Sequence, residues 1–280
     1  MKKTLLTILI CFNTIFCFSQ PFPKKQTLIP LSNVNGVPFY KDEELNDIGI
    51  NGFEIDDKGN FYFLSGDKLA CLSAYAGNEQ LYRKTYKDFA AGQLHIYKTN
   101  LYTFDRLSND IVVLNLSNGS VTKKYKQITS EDVNSYFFAD SSLIVEVASL
   151  GNSTYKQYSL SGKYIKLAHS AYNQTPFVTN QAEGRSEAEF LGEWNGNLIF
   201  WDLVIGKNDS QSQKFWLVNP DSKILATKSI INKADMFGNI YAENPEEHRK
   251  VRNGNLYVLG RKGNNALITV VPLASFFGKQ

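Results

Sequence analysis

Three acids stand at matching places along this chain: Asp105, Glu146 and Asp202 each follow a turn Asn or Ser by four to five residues, at the end of an aromatic or β-branched run. Carboxylates gathered around one mouth have two chemical uses. Their oxygens suit a hard cation such as Ca²⁺, and a pair of them suits acid–base work on a glycosidic bond. Glu54 is a fourth candidate, because it alternates with Phe53 and Ile55 and would point away from the core those two enter. Asp56 and Asp57 beside it read as turn residues ahead of Lys58-Gly59. The histidines His95, His169 and His248 show no metal-site spacing, so zinc is not indicated. His95 falls in a short run, Gln93 to Tyr97, that would form an inner strand and line a channel. Trp194, Trp201 and Trp216 come close together in sequence and offer flat surfaces for a sugar ring or for core packing. Alternation sends Trp201 and Phe200 to opposite faces. The candidate ligand-binding set is therefore Glu54, His95, Asp105, Glu146, Asp202 and Trp201. No G-x-S-x-G elbow appears, and Gly260-Arg261-Lys262-Gly263 joins two strands instead of opening a helix, so neither serine-hydrolase nor phosphate-loop chemistry has a local signature.

The elements that must position these residues are signalled by a recurring phrase. Gly59-Asn60-Phe61-Tyr62-Phe63, Asn100-Leu101-Tyr102-Thr103, Ser142-Leu143-Ile144-Val145, Gly196-Asn197-Leu198-Ile199-Phe200 and Gly254-Asn255-Leu256-Tyr257-Val258 are each a turn feeding a strand. The best-formed unit, Gln93 to Tyr125, reads as four short strands separated by turns at Lys98-Thr99-Asn100, Leu107 to Asp110 and Ser117-Asn118-Gly119. Such a meander repeated in a ring is an all-β propeller of four-stranded antiparallel blades. Five phrases predict five blades, whereas about 42 residues per blade would give six. The last copy reads as Ile240 to Glu243, Asn255 to Leu259 and Leu267 to Val271 and lacks a fourth strand. Gln26 to Leu31, whose Pro30 suits an edge, is a spare N-terminal strand able to close the ring. Pro245 to Lys250 reads as one exposed helical turn at most. The acids at the ends of second strands would then lie on the disc face that also receives the inter-blade connections.

The segment Asn51-Gly52-Phe53-Glu54-Ile55-Asp56-Asp57-Lys58-Gly59-Asn60-Phe61-Tyr62-Phe63 resembles the repeats of TolB-like and NHL-type propellers. The similarity covers the first two strands of each blade. It implies the fold and no particular activity, since one fold hosts many functions.

Lys2 and Lys3, the apolar stretch Thr4 to Phe16, and the small residues Cys17 and Ser19 before Gln20 read as a cleaved signal peptide over residues 1–19, leaving one domain over 20–280. The stretch is shorter than the roughly 20 apolar residues of a spanning helix. The bulky Ile10 and Phe16 before Cys11 and Cys17 argue against a lipid anchor. A secreted or periplasmic monomer is expected. Its only cysteine would be Cys71, a buried free thiol within Leu69-Ala70-Cys71-Leu72. The net charge of +3 includes Lys2 and Lys3, so the mature chain is near neutral and has no electrostatic footprint for nucleic acid. The expected function is binding of a protein or carbohydrate-like ligand through one face of the disc. The alternative is an extracytoplasmic hydrolase or lactonase using Ca²⁺ or an acid pair at the channel mouth.

Overall fold

A computed structural model describes residues 24–278 apart from 33–35, 39, 42–46, 49, 67–68, 140, 150–151, 169–188, 206–210, 220, 222 and 232–247. The expected signal segment and His169 lie outside the described residues. After β1 (Lys25–Pro30) and a two-stranded ribbon, β2 (Tyr40–Lys41) with β3 (Asp47–Ile48), the strands fall into consecutive fours. Blade 1 is β4 (Ile50–Ile55), β5 (Phe61–Ser65), β6 (Ala70–Ala76) and β7 (Glu79–Tyr86). Blade 2 is β8 (His95–Tyr97), β9 (Asn100–Asp105), β10 (Asp110–Asn115) and β11 (Val121–Tyr125). Blade 3 is β12 (Val133–Ala139), β13 (Ser142–Ser149), β14 (Asn152–Ser159) and β15 (Tyr164–Ala168). Blade 4 is β16 (Glu189–Trp194), β17 (Asn197–Ile205), β18 (Gln211–Val218) and β19 (Ile224–Ile231). Blade 5 is β20 (Arg249–Arg252), β21 (Asn255–Lys262) and β22 (Asn265–Pro272), with β1 as its fourth strand. The chain is a five-bladed β-propeller.

Ring closure follows the sequence expectation. β1 pairs antiparallel with β22 from Lys25↔Val270 to Pro30↔Asn265, so Pro30 ends an outer strand where a missing N–H costs no ladder bond. The inner strand of blade 5 differs from expectation. Ile240 to Glu243 lies outside the described residues, and the strand that pairs with β21 is Arg249–Arg252. Its Arg-Lys-Val-Arg composition hides it, because Arg249 is buried by stacking on an aromatic ring instead of by apolar character. Of the expected exposed turn over Pro245 to Lys250, residues 245–247 lie outside the described residues, while Arg249 and Lys250 belong to this strand and Arg249 is not exposed.

The turn phrase has a conformational cause. Asn195-Gly196 and Asn253-Gly254 both adopt positive φ, at 52° and 74° and at 48° and 70°, as two-residue hairpins that match strand twist require. Alternation along each strand then sends apolar side chains to both neighbours. Phe53, Ile55, Phe61, Phe63 and Tyr75 pack on Tyr257, Leu259 and Ile268 of blade 5, while Tyr62, Leu64 and Leu72 pack on Ile96, Leu101 and Val112 of blade 2. Blades 2 and 3 share Phe104, Ile111, Leu143 and Val145, and blades 4 and 5 share Ile199, Trp201, Leu256 and Val258. A short C-terminal helix, α1 (Leu273–Phe277), adds Phe276 edge-on to Phe215 at 5.1 Å. At the junction of blades 3 and 4 the described apolar cluster, Phe200, Trp216 and Val218 with Leu198, comes from blade 4.

Candidate functional site

Two of the sequence candidates meet at the inner rim of the ring. Phe53 and Ile55 enter the core shared with blade 5, so Glu54 between them faces blade 2. Its Oε1 accepts the N–H of Ile55 at 3.0 Å, and its Oε2 lies 4.0 Å from Nδ1 of His95 on the inner strand of blade 2. The His95 ring stacks on Phe138 from the inner strand of blade 3, with centroids 5.3 Å apart and planes 5° from parallel. Three neighbouring inner strands thus supply a carboxylate, an imidazole and an apolar ring to one place. All three positions lie near the first turn of their blade: Glu54 pairs with Tyr62, His95 with Tyr102 and Phe138 with Leu143.

The close approach of blades 1 and 2 has a specific cause. A Cβ on Gly52 would sit 2.5 Å from the carbonyl oxygen of Gly92 and 2.8 Å from the amide nitrogen of Leu94. Only a glycine lets β4 run this near the segment leading into β8. Glu54 is 5% exposed, and the His95 side chain is half-buried. The carboxylate and the imidazole together offer a hydrogen-bond acceptor and a ring nitrogen to a polar ligand. Beside it, the Tyr62 hydroxyl donates to Asp56 Oδ2 at 3.0 Å. Burial raises its pKa above the ordinary tyrosine value, and donation to the Asp56 carboxylate raises it further.

The remaining acids do not join this pair. Asp105 closes β9 and caps its own turn: Oδ1 accepts the N–H of Leu107 at 3.2 Å, and Oδ2 accepts the Ser108 hydroxyl at 2.7 Å. His95 is level with Tyr102, and at about 3.3 Å per residue Asp105 sits roughly 10 Å further along the blade. Asp56 works the same way, accepting Lys58 N–H and Asn60 N–H, each at 2.9 Å, as the turn reading expects. Glu146 and Asp202 are not strand-end residues, because β13 runs on to Ser149 and β17 to Ile205. Glu146 stands opposite Ser135, whose hydroxyl donates to Oε2 at 2.5 Å. Asp202 is buried opposite Lys214, whose ammonium lies 5.3 Å over the Trp216 ring. Leu143 and Val145 face blade 2 and Trp201 faces blade 5, so Glu146 and Asp202 alternate onto the two sheet faces that meet between blades 3 and 4. Among the described residues, no three of His, Cys, Asp and Glu are grouped to hold a metal ion.

Trp201 is 1% exposed and packs between blades 4 and 5. The Arg249 guanidinium carbon lies 3.8 Å from its ring centre, and Gln213 Oε1 accepts from both Trp201 Nε1 at 3.2 Å and Arg249 Nε at 3.0 Å. This places Trp201 out of stacking reach of a ligand in solution. Two residues that contribute to these sites escaped sequence reading. Phe138 carries no signal beyond strand membership, and Arg249 sits in a stretch whose charge reads as exposed.

No protein-family model matches the sequence. A search of characterised proteins gives no match. Several solved structures are similar over most of their length. A member of the DUF4221 family from Bacteroides vulgatus is 10% identical with a TM-score of 0.47, over 88% of this chain and 95% of that one. Glutaminyl cyclase from Myxococcus xanthus is 10% identical with a TM-score of 0.46, over 90% and 99%. BamB from Moraxella catarrhalis is 12% identical with a TM-score of 0.39, over 87% and 90%. At these values the fold rests on the strand topology of this chain itself, and no ligand or reaction passes from those proteins to it.

Proposed function

We propose that this chain is an exported, monomeric binding propeller that engages a protein or carbohydrate-like ligand at the inner rim. The observation that supports this reading is the convergence of Glu54, His95 and Phe138 from three inner strands, with Glu54 and His95 4.0 Å apart. A hydroxyl-rich or amide-rich ligand finds there a carboxylate acceptor, an imidazole and an aromatic surface. The hydrolase or lactonase reading has less support. An acid pair for glycoside hydrolysis flanks one bond at about 5–10 Å, yet Asp105 is engaged in its own turn and Glu146 accepts the Ser135 hydroxyl within its own blade.

The test is a thermal-shift panel of divalent cations, monosaccharides, oligosaccharides and extended peptides on the mature protein, repeated with Glu54→Gln and His95→Gln. A ligand that raises the wild-type midpoint should raise it less in both variants. If every active ligand shifts wild type and variants equally, the rim is not the site. Export is tested separately by the N-terminal sequence of protein recovered outside the cytoplasm, which should begin at Gln20.

A further inference from the structure

The outer edge of the ring is basic, although the whole chain carries a net charge of only +3. Each of the five outer strands, β1, β7, β11, β15 and β19, carries a lysine, and Glu79 is their one acid. A lysine discourages another strand from pairing with an edge, and β15 and β19 hold one each for that purpose. Blades 1 and 2 carry more than that purpose needs. Lys84, Lys87, Lys123, Lys124 and Lys126 lie on β7, on β11 and just after each of them.

Alternation brings these lysines to one seam. Lys84 stands opposite Leu72, which packs on blade 2, and Lys124 stands opposite Val112, which packs on blade 1. The two therefore lie on the facing sides of the seam, at its outer edge. On either side of Lys84, the Tyr82 and Tyr86 hydroxyls donate to the carbonyl oxygens of Leu116 and Gly119 at 2.9 and 2.5 Å, tying β7 to the turn that opens β11. The Lys124 ammonium donates to the Asp88 carbonyl oxygen at 2.9 Å and lies 5.6 Å over the Phe89 ring, so Lys87, next to Asp88, reaches the same place. Lys123, on the opposite face of β11, lies 4.6 Å over the Tyr125 ring. Rings and a backbone carbonyl hold Lys123 and Lys124, and among the described residues no carboxylate pairs with any of the five lysines. Lys84, Lys87, Lys123 and Lys126 are exposed and Lys124 is half-buried. Like charges gathered this way repel one another, a cost that an anionic partner removes. An acidic peptide strand would have to pair with an edge that its lysines protect. A planar bilayer would meet the exposed lysines before Lys124 inside the seam. A polysaccharide needs no backbone ladder and is narrow enough to lie along the seam.

We propose that the outer edge of blades 1 and 2 binds an acidic polysaccharide, its carboxylate or sulfate groups lying against Lys84, Lys87, Lys124 and Lys126. This surface is separate from the Glu54–His95 pair on the inner strands, so each can be tested without the other. The probes are fluorescently labelled dextran sulfate and polygalacturonate, set against neutral dextran, poly-glutamate and phosphatidylglycerol vesicles, with binding followed across a sodium chloride series. Both acidic glycans should bind the purified protein, more weakly as salt rises, and neutral dextran should not. The triple variant Lys84→Gln, Lys87→Gln, Lys126→Gln should weaken glycan binding about tenfold, as loss of three exposed ion pairs would. A control triple, Lys163→Gln, Lys166→Gln, Lys223→Gln, removes the same charge from the edges of blades 3 and 4 and should change it by less than about twofold. All six lysines are exposed, so the unfolding midpoints should stay level. Glu54→Gln and His95→Gln should leave glycan affinity unchanged. Equal weakening by the two triple variants, loss of binding in Glu54→Gln or His95→Gln, tighter binding of poly-glutamate or vesicles than of the glycans, or no glycan binding at low salt would each overturn the proposal.

Discussion

Closure by β1 rests on six residue pairs and, within the strand, on one buried side chain, so its strength can be tested at a single position. Ile29 is 0% exposed and packs in the cluster formed by Val37, Phe53, Tyr257 and Ile268, whereas Leu28 beside it is 44% exposed. Ile29→Ala removes three carbon groups at about 0.8 kcal/mol each. It also leaves a cavity between two sheets that meet face to face, bringing the cost to about 3–4 kcal/mol, within the range of buried Ile→Ala changes. A protein of this size loses about 2–4 °C per kcal/mol, so the unfolding midpoint should fall by roughly 6–15 °C. Ile29→Val should lose about 1 kcal/mol. Leu28→Ala should move the midpoint by no more than about 2 °C. The assay is thermal unfolding followed by circular dichroism, with limited proteolysis after Lys24 and Lys25 reporting release of the strand. Equal midpoints for Ile29→Ala and Leu28→Ala would refute the reasoning, because they would mean that the strand's register places neither residue in the seam.

Other substitutions probe the remaining arguments. Gly52→Ala would drive its Cβ to 2.5 Å from the Gly92 carbonyl oxygen; it should cost at least about 2 kcal/mol and weaken any ligand response that depends on the Glu54–His95 pair, read by unfolding and by titration calorimetry. Asp56→Ala removes the acceptor of two backbone N–H groups and the Tyr62 hydroxyl and should destabilise by about 2–3 kcal/mol in urea unfolding. Arg249→Ala should cost about 2–4 kcal/mol and change Trp emission, because Trp201 loses the guanidinium 3.8 Å from its ring. Alkaline pH should unfold the protein: burial raises Tyr75 to about 12 and raises Tyr62, Tyr82 and Tyr86 as well, so the folded state keeps protons that the unfolded chain releases above its ordinary value of 10.0. Stability should be flat in this respect below pH 10 and fall as pH climbs from there towards 12; the fall should be shallower in Tyr75→Phe, and an equally steep fall in that variant would contradict it.

The sequence showed the architecture wherever local chemistry and global pattern agreed. The Asn-Gly turns, the alternation of Phe53, Glu54 and Ile55, and the spare closing strand expected over Gln26 to Leu31 and found over Lys25–Pro30 were all readable, because turn conformation and strand period are local properties. Reading failed where burial came from a partner distant in sequence. Arg249–Arg252 looks like an exposed charged stretch, yet Arg249 is 2% exposed because Trp201 and Gln213, on another blade, receive it. Strand ends were also misplaced: nothing in Val147 to Ser149 or Leu203 to Ile205 marks continuation, so Glu146 and Asp202 read as terminal when they are internal.

Matching positions in a repeat do not confer matching roles, and the acids show why. Asp105 and Asp202 both occupy the sixth place of their second strand, yet β9 ends there and β17 continues. The first is held by its own turn, and the second faces Lys214 across the sheet. Glu54 belongs to no such series. It faces His95 because Gly52, two residues earlier on the same strand, removes the side chain that would keep the inner strands apart. A carboxylate at a turn is used up by the amides around it, whereas one on an inner strand beside a glycine keeps an oxygen directed at the neighbouring blade. The close approach permitted by Gly52, more than the repeat itself, brings Glu54 and His95 together at the inner rim of blades 1 and 2, where ligand binding is proposed.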